Sequence, residues 1–239
     1  MAVKVFISYS TTDKIISRKV KDILNEYSIE GFLAHEDINV SQERKDRIIQ
    51  ELSESNVFVP LLSESYKKSD WAPQEIGMAF ARGNDIVFIP LLLDTTIPFG
   101  FISHIQGKRL SGGKINSDLL IEPLTNRFPH EIIPLLIERM AFAISYRNAE
   151  ALMLPLRYHF QTFNDDEINA FITAAIENGQ IWNAGECRSN YLPEFIETHR
   201  SSIDQQKLEV LKYQITEQEW HPSRKKISNL RVNQTDGSL

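Results

Sequence analysis

The sequence predicts a doubly wound parallel α/β sheet over residues 1–146, followed by an all-helical extension over residues 147–220 and a polar tail over residues 221–239. Three observations carry this expectation. Apolar runs of strand length alternate with helical patterns from residue 3 to residue 93. The third and fourth runs, residues 56–62 and 86–93, are almost unbroken apolar stretches, as strands covered on both faces are. Beyond about residue 147 only helical periodicity remains.

Residues 3–9 open the chain as a first strand, with Val3, Val5, Phe6 and Ile7 along it and Tyr9 at its end. A polar turn follows, in which Thr11, Thr12 or Asp13 is placed to cap a helix bearing Ile15, Ile16, Val20, Ile23 and Leu24. Gly31 ends the connection to a short second strand at residues 32–34, and residues 35–40 form a polar loop. Ser41 begins a helix through Leu52 with Ile48, Ile49 and Leu52 on one side. After the third strand, residues 63–70 read as a polar loop. Trp71 then opens a helix in which Pro73 suits the first turn, Ser69 or Asp70 caps, and Ile76, Ala79 and Phe80 face a core. Gly83, Asn84 and Asp85 stop that helix before the fourth strand.

From Asp94 the pattern loosens, with a loop at residues 95–100, a short edge strand within residues 101–110 and a turn at residues 111–114. Residues 129–146 predict an amphipathic helix carrying Ile132, Ile133, Leu136, Ile137, Met140, Ala141 and Ile144. In the extension, Asn164 followed by Glu167 is a helix-start signal, Ile168, Phe171, Ile172, Ala175 and Ile176 form one stripe, and Asn178 with Gly179 ends it. Residues 191–199 and 203–220 predict two further helices, and the tail carries the basic cluster Arg224, Lys225 and Lys226.

Composition narrows the function classes. A net charge of −6 and a sequence pI of about 5.6 argue against a general nucleic-acid-binding surface. The single cysteine, Cys187, forms no internal disulfide, which suits a reducing compartment. The first residues turn polar too soon for a signal peptide, and no apolar run approaches the ~20 residues needed to span a bilayer. A cytoplasmic protein without membrane contact is expected. His104, His130, His159, His199 and His221 have no metal-ligand spacing, so no metal is expected. A dinucleotide-binding redox domain requires a glycine-rich turn after the first strand, where this chain has Tyr9-Ser10-Thr11-Thr12. A receiver domain requires an aspartate ending the third strand, where this chain has Leu61-Leu62-Ser63. The turn Ser111-Gly112-Gly113-Lys114 lacks the rest of a phosphate loop, and no G-x-S-x-G nucleophile elbow occurs.

Trp71 and Glu75 are four residues apart and so share one helix face. On its own the pair reads as a structural indole and a solvated carboxylate that favours the helix dipole. In a doubly wound sheet, however, ligands bind outside the carboxyl ends of the strands. The segments after the first, second and third strands all leave that rim. An indole and a carboxylate there could hold a ribose beside a flat base.

Taken together, these motifs resemble the Toll/interleukin-1 receptor (TIR) domain family. Phe6-Ile7-Ser8-Tyr9-Ser10 with Asp13 looks like its first box. Gly31 and Phe32 with the loop from His35 to Ser41 look like its second strand and BB loop. Ser63-Glu64-Ser65-Tyr66, then Ser69-Asp70-Trp71 and Glu75, resembles the stretch leading into its third helix, and Ile86-Val87-Phe88-Ile89-Pro90 its fourth strand. The likeness covers residues 1–146. It departs at Ala72, where many members have cysteine, and in the BB loop, which lacks the usual Pro-Gly pair. The resemblance does not extend to the segment from 147 onward.

The resemblance implies a flavodoxin-like fold and one of two functions. Some members act only by self-association, as adaptors that recruit an effector protein. Others cleave NAD at the nicotinamide–ribose bond with a glutamate at the position Glu75 matches, and in bacteria such members often serve anti-phage defence, depleting NAD or making cyclic ADP-ribose. The intact Trp71/Glu75 pair points to the second class. The likeness also implies a homo-oligomer in which one site draws on two protomers. NAD is then a substrate and no cofactor is needed.

That chemistry suits a single carboxylate. Nicotinamide departs from a cationic pyridinium and needs no proton, whereas typical glycosidases use two carboxyl groups. Glu75 is the expected catalytic residue, facing the positive charge that develops on the sugar. Trp71 packs against the sugar or supports the carboxylate, and Tyr9, Ser10 and Asp37 line the remainder of the nucleotide. Tyr9 equally suits a core position at a strand end. Cleavage of another N-glycosidic substrate is a third reading.

Overall fold

The parallel sheet grows from β1 (Lys4–Ser8), whose Val5, Phe6 and Ile7 are fully buried. The computed structural model describes residues 2–34 and 42–216. The loop expected at residues 35–40, the last residues of the helix expected at 203–220 and the polar tail at 221–239 lie outside them.

Helix α1 (Lys14–Glu26) packs on β2 (Glu30–Leu33), and a Cβ at Gly31 would lie 3.1 Å from Leu24 Cδ1. Glycine is thus the residue that lets helix and strand approach this closely. Helix α2 (Gln42–Glu54) precedes β3 (Val57–Leu62), which is buried throughout. Then come α3 (Glu64–Lys67), α4 (Ala72–Phe80), β4 (Val87–Phe88), β5 (Leu91–Leu92) and β6 (Lys108–Arg109). The sheet order is β2-β1-β3-β5-β6, all parallel, with β4 also on β3. One register runs through both β4 and β5 along β3, so the two form one strand interrupted where Pro60 faces Pro90. Neither proline has an N–H to give, which is why the ladder breaks there. The doubly wound α/β fold class is therefore as the sequence predicts, down to the edge strand within residues 101–110.

Helices α5 (Asp118–Arg127) and α6 (Pro129–Ala141) follow, and the chain divides into two compact units, Met1–Ile132 and Ile133–Leu239, inside α6. The second unit is helical in its described residues: α7 (Tyr146–Arg157), α8 (Asp165–Glu177), α9 (Gly179–Trp182), α10 (Leu192–His199) and α11 (Gln205–Thr216). Phe160, Phe163, Phe171 and Phe195 cluster at its centre, with Phe171 and Phe195 stacked at 3.9 Å. The helix start at Asn164 is a full capping box, with Asn164 Oδ1 accepting from Glu167 N and Glu167 Oε2 accepting from Asn164 N.

Several local expectations are corrected. Residues 63–70 contain the one-turn helix α3 and a fully buried Tyr66. Ile49 and Phe80 are 42% and 38% exposed, at the margins of the core rather than within it. The helix of residues 129–146 ends at Ala141 and leaves Ile144 87% exposed. Asp13 gives α1 no side-chain cap because its carboxylate is engaged by Ser63. Helices α5, α7 and α9 have no counterpart in the sequence expectations.

Candidate functional site

The turns that leave β1, β3 and β5 build one rim at the carboxyl ends of these strands. Ser63 caps α3 by accepting from Tyr66 N at 3.0 Å, and its hydroxyl donates to Asp13 Oδ2 at 2.6 Å. Asp94, just beyond β5, accepts from the N–H groups of Glu64 (2.9 Å) and Thr96 (2.7 Å). A hydrogen bond from the Thr96 side chain first, and then the Glu64 and Thr96 backbone bonds, lower the Asp94 pKa from its ordinary value. Asp13 moves the other way: burial raises its pKa, the Ser63 bond opposes this, and the charge of Asp94 adds to it.

Helix α4 begins at Ala72 with Trp71 at its N-cap position, one residue later than expected, and neither Ser69 nor Asp70 is its cap residue. Ser69 Oγ accepts from the N–H groups of Trp71 (3.3 Å) and Ala72 (3.4 Å), and Pro73 occupies the first turn. Asp70 contributes its carbonyl, which accepts from Gln74 Nε2 at 2.7 Å. Glu75 N donates to Trp71 O at 2.9 Å, so indole and carboxylate stand one turn apart.

The Glu75 side chain turns inward and is 1% exposed. Its Oε2 accepts a short hydrogen bond from Ser8 Oγ, the last residue of β1. Ser8 Oγ also lies 2.8 Å from the Tyr66 hydroxyl. The serine has one proton and gives it to Glu75 Oε2, so in its contact with Tyr66 it can only accept. Ser8 donates to Glu75, and Tyr66 donates to Ser8. Burial raises the Tyr66 pKa well above its ordinary value, and the negative charge of Glu75 adds to this, so the phenol stays a donor. Three buried polar side chains from β1, α3 and α4 are thereby linked beneath the rim.

The sequence-predicted residues fall in different places. Glu75 is at the centre of this network. Trp71 is half-buried at the head of α4. Tyr9 is among the largest fully buried side chains, and Ser10 is buried with its Oγ accepting from Thr12 Oγ1 at 3.1 Å. Asp37 lies outside the described residues. Ser8 and Tyr66 were assigned no role from the sequence, although each sits in a segment that carries the family resemblance. Their signal was a polar side chain at a strand end and an aromatic inside an otherwise polar stretch.

Among the described residues no group of three or more His, Cys, Asp or Glu side chains is placed to hold a metal ion. No described helix is long and apolar enough to cross a membrane.

The sequence model of the TIR domain matches residues 5–125, half of the chain. The crystal structure of the TIR domain of the Toll-related receptor TRR-2 from Hydra magnipapillata is similar at 18% identity, with a TM-score of 0.39, covering 53% of this chain and 94% of that one. No protein of curated function matches the chain.

Proposed function

We propose, from the premise that the chain belongs to the TIR domain family, that it is an NAD glycohydrolase or cyclase with Glu75 as its catalytic carboxylate. The observation that carries this reading is the burial of an acidic side chain in the first turn of α4, against the carboxyl end of β1. A carboxylate kept only for solubility or for the helix dipole would point into water. This one is held in the interior at the edge where doubly wound sheets take their ligands.

In the reaction the bond between the ribose C1′ and the pyridinium nitrogen breaks. The electron pair goes to that nitrogen and yields neutral nicotinamide. Positive charge builds on the sugar, and Glu75 faces it. Water then adds at C1′ and releases a proton, giving ADP-ribose, or a nitrogen of the adenine adds instead and gives a cyclic product. Trp71 packs along the sugar, and Tyr9, Ser10 and Asp37 line the rest of the nucleotide. NAD is consumed, and no cofactor takes part.

Glu75 at 1% exposure meets a nucleotide only after the groups above it part. TIR domains commonly self-associate, and assembly through residues 1–146 is the event we assign to this opening. The helical extension over residues 147–220 controls it. A cytoplasmic role in anti-phage defence, acting by NAD loss or through an effector protein that reads the product, fits this arrangement.

Purified protein incubated with NAD, with nicotinamide followed by chromatography and the sugar product by mass spectrometry, tests the reading. Specific activity should rise with protein concentration. Glu75→Gln, folded by circular dichroism, should lose at least about a hundredfold in kcat. Folded wild-type protein that leaves NAD, NADP and nucleosides intact at every concentration would overturn the reading and favour an adaptor acting by self-association.

A further inference from the structure

We infer that Ser8 and Tyr66 are positioning residues, a two-step hydrogen-bond relay that holds the Glu75 carboxylate in one orientation and in its ionised form. The inference rests on the reading of Glu75 as the group that faces the ribose.

A glutamate side chain has three rotatable bonds and would waste much of its electrostatic effect if it wandered. Ser8 removes that freedom by engaging Oε2 from the end of β1, where Val5, Phe6 and Ile7 are all fully buried. Ser8 cannot turn its proton elsewhere, because Tyr66 fills its acceptor side from α3 at 2.8 Å. Tyr66 in turn is fixed by its own backbone: its N–H is bonded to Ser63 Oγ, and its ring lies in the apolar cluster with Phe58, Ile76 and Ile102. Each link therefore restrains the next, from a packed ring to a hydroxyl to a carboxylate.

The relay has an electrostatic consequence. A hydrogen bond donated to the charged form of an acid favours that form, and a buried carboxylate without it would tend to protonate. A protonated Glu75 cannot face a developing cation. Ser8 acts directly on the carboxylate, while Tyr66 acts through Ser8, so loss of Ser8 should be felt more strongly.

Ser8→Ala and Tyr66→Phe test this, with the exposed Tyr213→Phe as control. In folded protein, Ser8→Ala should lower kcat for NAD by about tenfold to a hundredfold, the equivalent of one hydrogen bond to a charge. KM should stay within about twofold, and the acid limb of the kcat–pH profile should move to higher pH. Tyr66→Phe, which keeps the packing and removes only the hydroxyl, should do the same to a smaller degree. Tyr213→Phe should behave as wild type. Carbon NMR of protein with 13C-labelled glutamate carboxyls, with Glu75 assigned from Glu75→Gln, supplies a readout that needs no substrate. Its titration midpoint should move upward in both variants. Unchanged midpoints and an unchanged pH profile in folded Tyr66→Phe and Ser8→Ala would overturn the relay. Absence of NAD cleavage by wild type would instead overturn the proposed function, and the NMR midpoint alone would then decide the relay. Should Ser8→Ala fail to fold, Tyr66→Phe decides it.

Discussion

The Ser63 hydroxyl donates to the Asp13 carboxylate across 2.6 Å, joining the turn after β1 to the turn after β3. The same oxygen accepts from Tyr66 N, so one serine caps α3 and holds a half-buried acid. Ser63→Ala should destabilise the protein by about 1–2 kcal/mol, the usual loss for an N-cap side chain. Urea unfolding at neutral pH measures it. Because α3 carries Tyr66, the variant should also lower NAD turnover. Asp13 adds a pH term. Its folded pKa is raised, chiefly by burial, above the ordinary 3.8. Its contribution is therefore complete below that ordinary value and is lost as pH rises through the raised folded value. Asp13→Asn should flatten the stability profile over that window, and an unaltered profile would assign the slope to other groups.

Tyr66 makes the fold sensitive at the alkaline end. Its folded pKa is raised well above 10, by burial first and then by the charge of Glu75, against the opposing effect of its hydrogen bond with Ser8. A raised value means the folded state keeps the proton that the unfolded state releases. Stability is thus complete below about pH 10 and falls as pH climbs above it. Tyr66→Phe should reduce the slope of unfolding free energy against pH in that range by up to one proton per chain. Urea unfolding at a series of alkaline pH values gives the slope, and ultraviolet absorbance of tyrosinate in the folded protein shows whether the phenol has titrated. Equal slopes in wild type and Tyr66→Phe would remove Tyr66 from the alkaline transition.

The sheet was legible because its signal is redundant. β3 is apolar along its whole length and β1 through Val5, Phe6 and Ile7, and no helical pattern competes with them. Elements marked by a single residue were not. Tyr66 is one aromatic among Ser63, Glu64, Ser65, Lys67, Lys68, Ser69 and Asp70, and its burial comes from the chain reversal there rather than from periodicity. Helices α5 and α7 each contain an interior proline, Pro123 and Pro155, as does α6 at Pro134, but only α6 carries an apolar stripe strong enough to be read through it. Phe80 misled in the opposite sense. It keeps helical spacing with Ile76 yet stacks at 5.0 Å on Phe101, itself 61% exposed, outside the core. At the site, spacing singled out Glu75 and Trp71, because one helical turn is visible in sequence. Ser8 and Tyr66 are 58 residues apart, and only the parallel crossover from β1 to β3 brings them together.

In the second unit, Asn178 joins the end of α8 to the end of α6. Its Nδ2 donates to the carbonyls of Ala143 (3.0 Å), Ala141 (3.1 Å) and Met140 (3.2 Å), while its Oδ1 accepts from Gln180 N at 2.9 Å. Two amide protons serve three carbonyls where α6 stops, of which Met140 O also accepts from Ala143 N at 3.1 Å. Donor and acceptor roles are therefore separable by substitution. Asn178→Ala loses both and should cost about 1–3 kcal/mol. Asn178→Asp keeps the acceptor that caps α9 but points negative charge at three carbonyl oxygens. It should be the less stable variant at neutral pH despite retaining the cap. Its new carboxyl should have a folded pKa above the unfolded one, so stability should return as pH falls towards the ordinary carboxylate range. Chemical unfolding of both variants at neutral pH and near pH 4 decides between the two roles. An Asp variant at least as stable as the Ala variant at neutral pH would show that the cap on α9, rather than the closure of α6, is what Asn178 contributes.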